Sequence, residues 1–202
     1  MKISVNMGFT LAEALIVLGV IGIVSAMTIP TIIQNYREKV LVNKLKESYS
    51  IFSQAYKLAV NEYDSPESWD IGLFASHEGA VKVYNYFKPF LKLGQDCNGE
   101  YGCFAKSYKT FSGEQYGDYC AMLYIDVNGY DLPNVAGIDY FGFIITPESV
   151  IPLGRPDDSA SVGNGYTCTY NGNNSGNGTG CTAWVLKKGN MDYLRHDISK
   201  FW

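Results

Sequence analysis

The sequence has little histidine and none of the short motifs that mark the common enzyme classes. Its 202 residues include two histidines, His77 and His196, and no H-E-x-x-H, G-x-S-x-G, C-x-x-C or phosphate-loop pattern occurs. Those patterns supply metal ligands, activated nucleophiles and phosphate cradles. A nucleophile and base made from Cys97 or Cys120 with His196 would be a chance pairing. We therefore expect a protein that is not an enzyme and that requires no cofactor.

Basic residues are also few, and none are gathered into a run. The chain has 16 Lys and Arg against 20 Asp and Glu, for a formal net charge of −4. A nucleic-acid-binding domain normally carries a basic patch or stripe, so no nucleic-acid contact is predicted. In contrast, hydrophobic residues make up 47% of the chain and aromatic residues 14%. This composition is sufficient for a packed core.

A long uncharged segment lies close to the N-terminus. Residues 14–33 read ALIVLGVIGIVSAMTIPTII, and twenty residues of helix span about 30 Å, the thickness of the hydrocarbon core of a bilayer. The apolar core of a cleaved signal peptide is shorter, about 7–15 residues, and a small-residue cleavage site follows it. The segment therefore predicts a membrane anchor rather than a discarded signal.

The charges around this segment are unusual for a simple anchor. Glu13 stands at its start, and a carboxylate at mid-bilayer costs about 2.5–3.5 kcal/mol on insertion scales; in the headgroup region it would cost little. Before the run there are only Lys2 and the α-amino group. The basic residues after it include Arg37, Lys39, Lys44 and Lys46. Taken alone, the positive-inside rule would place the C-terminal part in the cytoplasm.

The run Gly8-Phe9-Thr10-Leu11-Ala12-Glu13 resembles the cleavage and methylation motif of type IV prepilins and type II secretion prepseudopilins. The resemblance implies that a prepilin peptidase cuts after Gly8 and that the new N-terminal residue, Phe9, is methylated. It also implies that Glu13 pairs with the N-terminal amine of a neighbouring subunit. Pro30 matches a helix position that loosens when such fibres pack, although a proline in any membrane helix also produces a simple kink.

This resemblance predicts a structural subunit of a type II secretion pseudopilus or a type IV pilus. The expected partners are the prepilin peptidase, other pilin-like subunits and the inner-membrane assembly platform. The expected location is the inner membrane, crossed once, with the C-terminal domain in the periplasm or in a surface fibre. The alternative is a signal-anchored extracytoplasmic binding or enzymatic domain.

The remaining pattern predicts an α+β fold of the pilin-like kind, in which a long helix packs on an antiparallel sheet. We expect a leader at 1–8, a transmembrane helix at 9–33, an amphipathic continuation at 34–63 and a globular domain at 64–202. Apolar residues recur every three or four positions in the continuation, which Asp64-Ser65-Pro66 ends. A second helix begins near Ser76-His77-Glu78. Strands are predicted at 119–126, 140–146 and 149–153, and the segment 181–194 is either a short helix or an edge strand.

All five cysteines follow the apolar segment: Cys97, Cys103, Cys120, Cys168 and Cys181. This placement favours a domain in an oxidising compartment that forms disulfides. The candidate pairs are Cys97 with Cys103, either of these with Cys120, and Cys168 with Cys181. An odd number leaves at least one thiol free or paired between chains, and buried thiols in a reducing compartment are the alternative.

The stretch from Asp126 to Phe141 resembles a D-x-N-G, P-N, G-x-D-x-F loop found in pseudopilin-like proteins. Its oxygen-bearing side chains, from Asp126, Asn128, Asp131 and Asp139, raise the hypothesis of a calcium site, because calcium prefers carboxylate and carbonyl oxygens. The spacing does not match an EF-hand. The alternative is that these side chains cap tight turns without any metal.

Overall fold

The computed structural model of the protein describes residues 10–69, 77–91, 110–112, 121–129, 131–157, 168–169 and 178–198. The described chain is α+β, with a long N-terminal helix, a small antiparallel sheet and short helices. It divides into two compact units, one ending at Glu38 and the other beginning at Lys39. Helix α1 spans Leu11–Tyr63 without a break, and Pro30 lies inside it.

In the first unit, α1 is apolar and exposed around its whole circumference. Glu13 is the only charged residue between Thr10 and Tyr36, and none of the most apolar 18-residue window is buried. The large exposed hydrophobic side chains are Leu11, Leu15, Ile16, Val17, Leu18, Val20, Ile21, Ile23, Val24, Met27, Ile29, Ile32, Ile33 and Tyr36. The first unit therefore has no core of its own among the described residues.

In the second unit, one face of α1 is buried in the main core. Leu45, Phe52 and Ala59 are fully buried, and they recur at intervals of seven residues, so they lie on one face. The helix ends at Tyr63, and Asp64 follows with a left-handed φ of 63°. Pro66 then begins a 3₁₀ turn, Pro66–Ser68.

The sheet is an antiparallel meander in the order β1–β2–β3–β4. Its strands are β1 (Thr110–Ser112), β2 (Ala121–Asp126), β3 (Tyr140–Ile145) and β4 (Val150–Pro152). In the central pair, Leu123 lies opposite Phe143 and Ile125 opposite Phe141. Because side chains alternate between the two faces of a strand, these four fully buried residues share the face that belongs to the main core. The other face holds a smaller cluster of Met122, Ile144 and Leu153.

The sheet and α1 meet through aromatic side chains. Tyr49 stacks on Phe143 with ring centroids 5.6 Å apart. The hydroxyl of Tyr56 donates to the carbonyl oxygens of Thr146 (2.9 Å) and Pro147 (2.7 Å), just after β3. The long helix therefore packs on the antiparallel sheet, as predicted.

Two short helices complete the second unit. Helix α2 (His77–Phe87) continues into a 3₁₀ turn, Lys88–Phe90, and its Phe87 packs on Phe52 of α1 with ring centroids 6.0 Å apart. Helix α3 (Thr182–Lys188) ends at Gly189, whose φ of 73° suits a left-handed helix cap. A further 3₁₀ turn, Asp192–Leu194, follows. The segment after Cys181 is therefore a helix and not an edge strand.

Candidate functional site

The first turn of α1 is closed by a reciprocal cap between Thr10 and Glu13. One carboxylate oxygen of Glu13, Oε2, accepts from the backbone N–H of Thr10 at 2.8 Å and from its hydroxyl at 2.7 Å. In return, the backbone N–H of Glu13 donates to Thr10 Oγ1 at 3.3 Å. This is the capping box, in which a Thr and a Glu three residues later satisfy each other's unpaired backbone donors. The T-x-x-E spacing of these residues in the sequence is the signal for this cap.

The cap occupies only one oxygen of the exposed Glu13 carboxylate. Oε1 makes no hydrogen bond within the described part of the chain. A carboxylate oxygen has two lone pairs, so this atom can accept a donor from outside the chain while the cap is intact. Gly8 and Phe9 lie outside the described residues, and the predicted cleavage between them stays a prediction.

The exposed apolar part of α1 is long enough to cross a membrane. Among the described residues, one helix passes this test of length and composition, and it lies near the N-terminus. Apart from the adjacent residues and backbone of the helix itself, no atom lies within 4 Å of the space that a Cβ would fill at Gly19 or Gly22. Exposed apolar surface of this extent is typical of a helix that meets lipid or other helices.

Pro30 interrupts the hydrogen-bond ladder of α1 without interrupting the helix. Proline has no N–H, so the carbonyl of Ala26 loses its usual donor. Two residues before the proline, the hydroxyl of Thr28 donates to the carbonyl of Val24 at 2.9 Å.

The loop after β2 is held by Asp139. Its carboxylate is fully buried and accepts from the backbone N–H groups of Asn134 (2.8 Å) and Val135 (2.6 Å). The backbone is reinforced by a bond from the N–H of Val127 to the carbonyl of Asp139 at 2.8 Å. Asp139 therefore caps a turn, as the metal-free alternative requires.

The other three residues of the calcium hypothesis take part in hydrogen bonds within the same loop. Asp126 Oδ1 accepts from the N–H of Asn128 at 3.2 Å, and Asp131 is exposed. Asn128 donates through Nδ2 to the carbonyls of Asp131 (2.9 Å) and Leu132 (3.4 Å). No group of three His, Cys, Asp or Glu residues suited to a metal is found among the described residues. Calcium binding stays an untested prediction.

The C-terminal segment 178–198 docks on this loop and on the sheet. The hydroxyl of Tyr193 donates to the carbonyl of Gly137, and a Cβ at Gly137 would lie 2.9 Å from the carbonyl oxygen of Gly178. The N–H of Ala183 donates to the carbonyl of Leu153 at 3.0 Å. The backbones of these segments approach too closely for side chains, which explains glycine at these positions.

Cys168 and Cys181 form a disulfide, as one of the alternative pairings predicted. Both are buried, and Cys181 lies in the docked segment just before α3. Cys97, Cys103 and Cys120 lie outside the described residues. The bond ties the C-terminal segment to Cys168, 13 residues before Cys181 in the chain.

Comparison with known proteins identifies one partial similarity. A family described as "Family of unknown function (DUF6613)" matches residues 31–101, which is 71 of the 202 residues. The match covers the second half of α1 and the region of α2. No curated protein and no solved structure matches the chain.

Proposed function

We propose that the protein is a pilin-like structural subunit, cut after Gly8 by a prepilin peptidase and assembled into a type II secretion pseudopilus or a type IV pilus. In this proposal it is anchored once in the inner membrane, and its sheet domain lies in the periplasm or on a fibre. The observation that carries the proposal is the double character of α1. The same helix is apolar and exposed all round up to residue 33 and is buried on one face from Val42 to Ala59.

Transfer of the exposed part of α1 from water to an apolar environment is strongly favourable in free energy. Burying one Leu, Ile or Val side chain contributes about 1.5–3 kcal/mol, and more than ten such side chains are exposed there. Lipid, or a bundle of identical helices at the centre of a fibre, would cover this surface. A helix that first resides in lipid and later in a fibre needs an apolar surface in both surroundings. The part of α1 from Ala14 to Ile33 is apolar on all sides.

Glu13 supports the assembly step of the proposal. The capping box with Thr10 fixes one carboxylate oxygen and leaves Oε1 available. Cleavage after Gly8 would create a new amine at Phe9, and a buried carboxylate becomes tolerable when a cation neutralises it. A subunit that enters the fibre could therefore present its amine to Glu13 of its neighbour.

The deciding experiment is to follow the N-terminus of the full chain in membranes that contain a prepilin peptidase. Mass spectrometry should find a chain that begins at Phe9, and Gly8→Leu should leave the precursor uncut, because the bulky side chain would block the peptidase. Val5→Leu, which places the same side chain three residues earlier in the leader, is the control and should be cut normally.

Glu13→Ala separates cleavage from assembly. We expect this variant to be cut but absent from sheared or isolated fibres, while Ala12→Ser, at the adjacent position, should assemble. A parent chain that keeps its first eight residues and is absent from fibres would exclude the pilin-like proposal. That result would favour a signal-anchored domain with another activity.

A further inference from the structure

The loop after β2 contains an Asn-Gly pair, Asn128–Gly129. Such a pair is chemically labile, because the backbone nitrogen of the glycine can attack the side-chain amide carbon of the asparagine with little steric hindrance. The fold nevertheless uses both residues here. Gly129 has a φ of +74°, in the left-handed region that favours glycine, and the side-chain amide of Asn128 spans the turn.

In the closed form of the loop, which the structure shows, the leaving group of that reaction is held in place. Asn128 Nδ2 donates to the carbonyl oxygens of Asp131 (2.9 Å) and Leu132 (3.4 Å). Both partners are acceptors, so it is the nitrogen of the amide that faces them. Leu132 is 85% exposed, so water reaches this side of the loop and the hydrogen bonds are what hold the nitrogen. Ammonia can leave only after both bonds are broken.

The closed loop also disfavours the attack itself. Gly129 is buried, so a base from solvent has poor access to the N–H that must lose its proton. The attack would place a negative charge on Asn128 Oδ1. That atom is buried and accepts no hydrogen bond among the described residues, so the charge would lack the donors that stabilise an oxyanion. The reaction is therefore opposed at the nucleophile, at the oxyanion and at the leaving group.

The product of the reaction does not fit the closed loop. A carboxylate at position 128 would turn an acceptor, instead of a donor, toward the carbonyls of Asp131 and Leu132. The backbone N–H of Asn128 donates to Oδ1 of the fully buried Asp126 at 3.2 Å, so the new charge would lie two residues from a buried carboxylate. Like charges repel strongly where the surroundings screen them little. The modified chain should therefore favour the open form of the loop.

We propose that Asn128 is a deamidation site that the closed loop protects and the open loop exposes. In the open loop, the Gly129 nitrogen forms a bond to Cγ of Asn128, the bond from Cγ to Nδ2 breaks, and ammonia leaves with the proton of the Gly129 N–H. Water then opens the five-membered succinimide ring to aspartate or isoaspartate. A chain whose loop has opened for long enough carries this change afterwards. The inference requires neither cleavage nor assembly, so it stands apart from the proposed function.

Peptide mapping of the full chain in detergent tests the protection. The chain is incubated in mildly alkaline buffer with and without guanidinium chloride, and aspartate and isoaspartate at position 128 are quantified over time by mass spectrometry. We expect the reaction to be slower without denaturant by about tenfold or more, because the two bonds from Nδ2 must first be lost. Equal rates in the two samples would overturn the proposal.

The chain carries its own reference for the denatured sample. Four further Asn-Gly pairs begin at Asn98, Asn164, Asn171 and Asn177. In guanidinium chloride all five asparagines should react at similar rates, because each is followed by glycine in an unfolded chain. Reaction at the other four with none at Asn128 would contradict the assignment of the site.

The variant Asn128→Asp tests the effect of the product. It carries the aspartate from the start and should unfold at a lower denaturant concentration than the parent chain. Asn43→Asp adds the same charge at an exposed position of α1 and should change the midpoint little. Equal midpoints of the two variants would contradict the misfit of the product in the closed loop. The comparison of rates on the parent chain needs no variant, and it decides the protection even if Asn128→Asp does not fold.

Discussion

The hydroxyl of Thr182, at the first position of α3, accepts a hydrogen bond from the backbone N–H of Gly142 in the middle of β3 at 2.9 Å. The same hydroxyl donates to the carbonyl of Thr179 at 2.7 Å. Thr182 is fully buried. One side chain thus joins the sheet, the turn before α3 and the helix itself, far from water.

Replacing this hydroxyl should destabilise the domain more than its size suggests. Thr182→Val keeps the shape but leaves the Gly142 N–H and the Thr179 carbonyl without their partner, and each unsatisfied buried group costs about 1–3 kcal/mol. Denaturant unfolding of the full chain in detergent should show a lower midpoint. Thr182→Ser retains the hydroxyl and should recover most of the loss; equal effects of Val and Ser would contradict the bridging role.

Gly154 should tolerate no side chain. Its φ is +88°, and a Cβ at this position would collide with the backbone carbonyl of Gly180, which cannot move without displacing the docked C-terminal segment. We expect Gly154→Ala to cost more than about 4 kcal/mol, in the range of severe core damage.

Gly189 is the matched control for this substitution. Its φ is +73°, but the nearest atom to an added Cβ is the Nζ of the flexible Lys46 side chain at 3.2 Å. Gly189→Ala should therefore cost about 1–2 kcal/mol, the strain of a left-handed non-glycine residue. Thermal melting of the two variants would contradict the explanation if both lost the same stability.

The hydroxyl of Tyr56 should stabilise the contact between α1 and the sheet. It is buried and donates to the carbonyls of Thr146 and Pro147, so Tyr56→Phe is expected to cost about 1–3 kcal/mol. Tyr49→Phe removes a longer bond, 3.4 Å to the carbonyl of Val150, and should have a smaller effect. The ratio of the two losses in chemical unfolding is the measurement, and a larger loss at Tyr49 would be the opposite of the expectation.

Reduction of the Cys168–Cys181 disulfide should loosen the C-terminal segment. The bond closes a loop of 13 residues in sequence separation, and a loop of this size is worth about 3 kcal/mol of stability in the chain-entropy account. Unfolding of the chain with and without dithiothreitol measures the effect.

The double variant Cys168→Ala, Cys181→Ala is the control for reduction at the other cysteines. It should be less stable than the parent chain, and reductant should change its stability less. A parent chain that loses no more stability on reduction than this variant would show that the bond has no stabilising role.

The regular elements of the fold were predictable because their patterns are local. The 3.6-residue periodicity of α1, its end at Asp64 and the three strands that follow Tyr119 all come from short-range composition and turn chemistry. Helix α3 was ambiguous, because seven residues are too few for periodicity to separate a helix from an edge strand. The glycine at 189, after two lysines, was the available clue to a helix end.

The docking of the C-terminal segment was not predictable in the same way. Gly137, Gly154 and Gly178 are needed because backbones distant in sequence approach one another there, and no local pattern indicates which segments will meet. The exposure of Leu132 has the same origin, since a single leucine in a loop gives no indication of its environment. In the candidate site, the apolar run and Glu13 were evident from the sequence. That Oε2 of Glu13 accepts both bonds from Thr10, while Oε1 accepts none within the described chain, is known only from the structure.

The bond from Tyr56 to Thr146 can form only after both residues have been synthesised. The partners are 90 residues apart, and ribosomes add about 5–20 residues per second, so the interval between their syntheses is roughly 5–18 s. During that time the aromatic side of α1 has no sheet to cover it, and Thr182 and Tyr193 are made later still. The nascent chain is therefore most exposed to aggregation and proteolysis in this interval, and a holding factor that shields aromatic surface would act then.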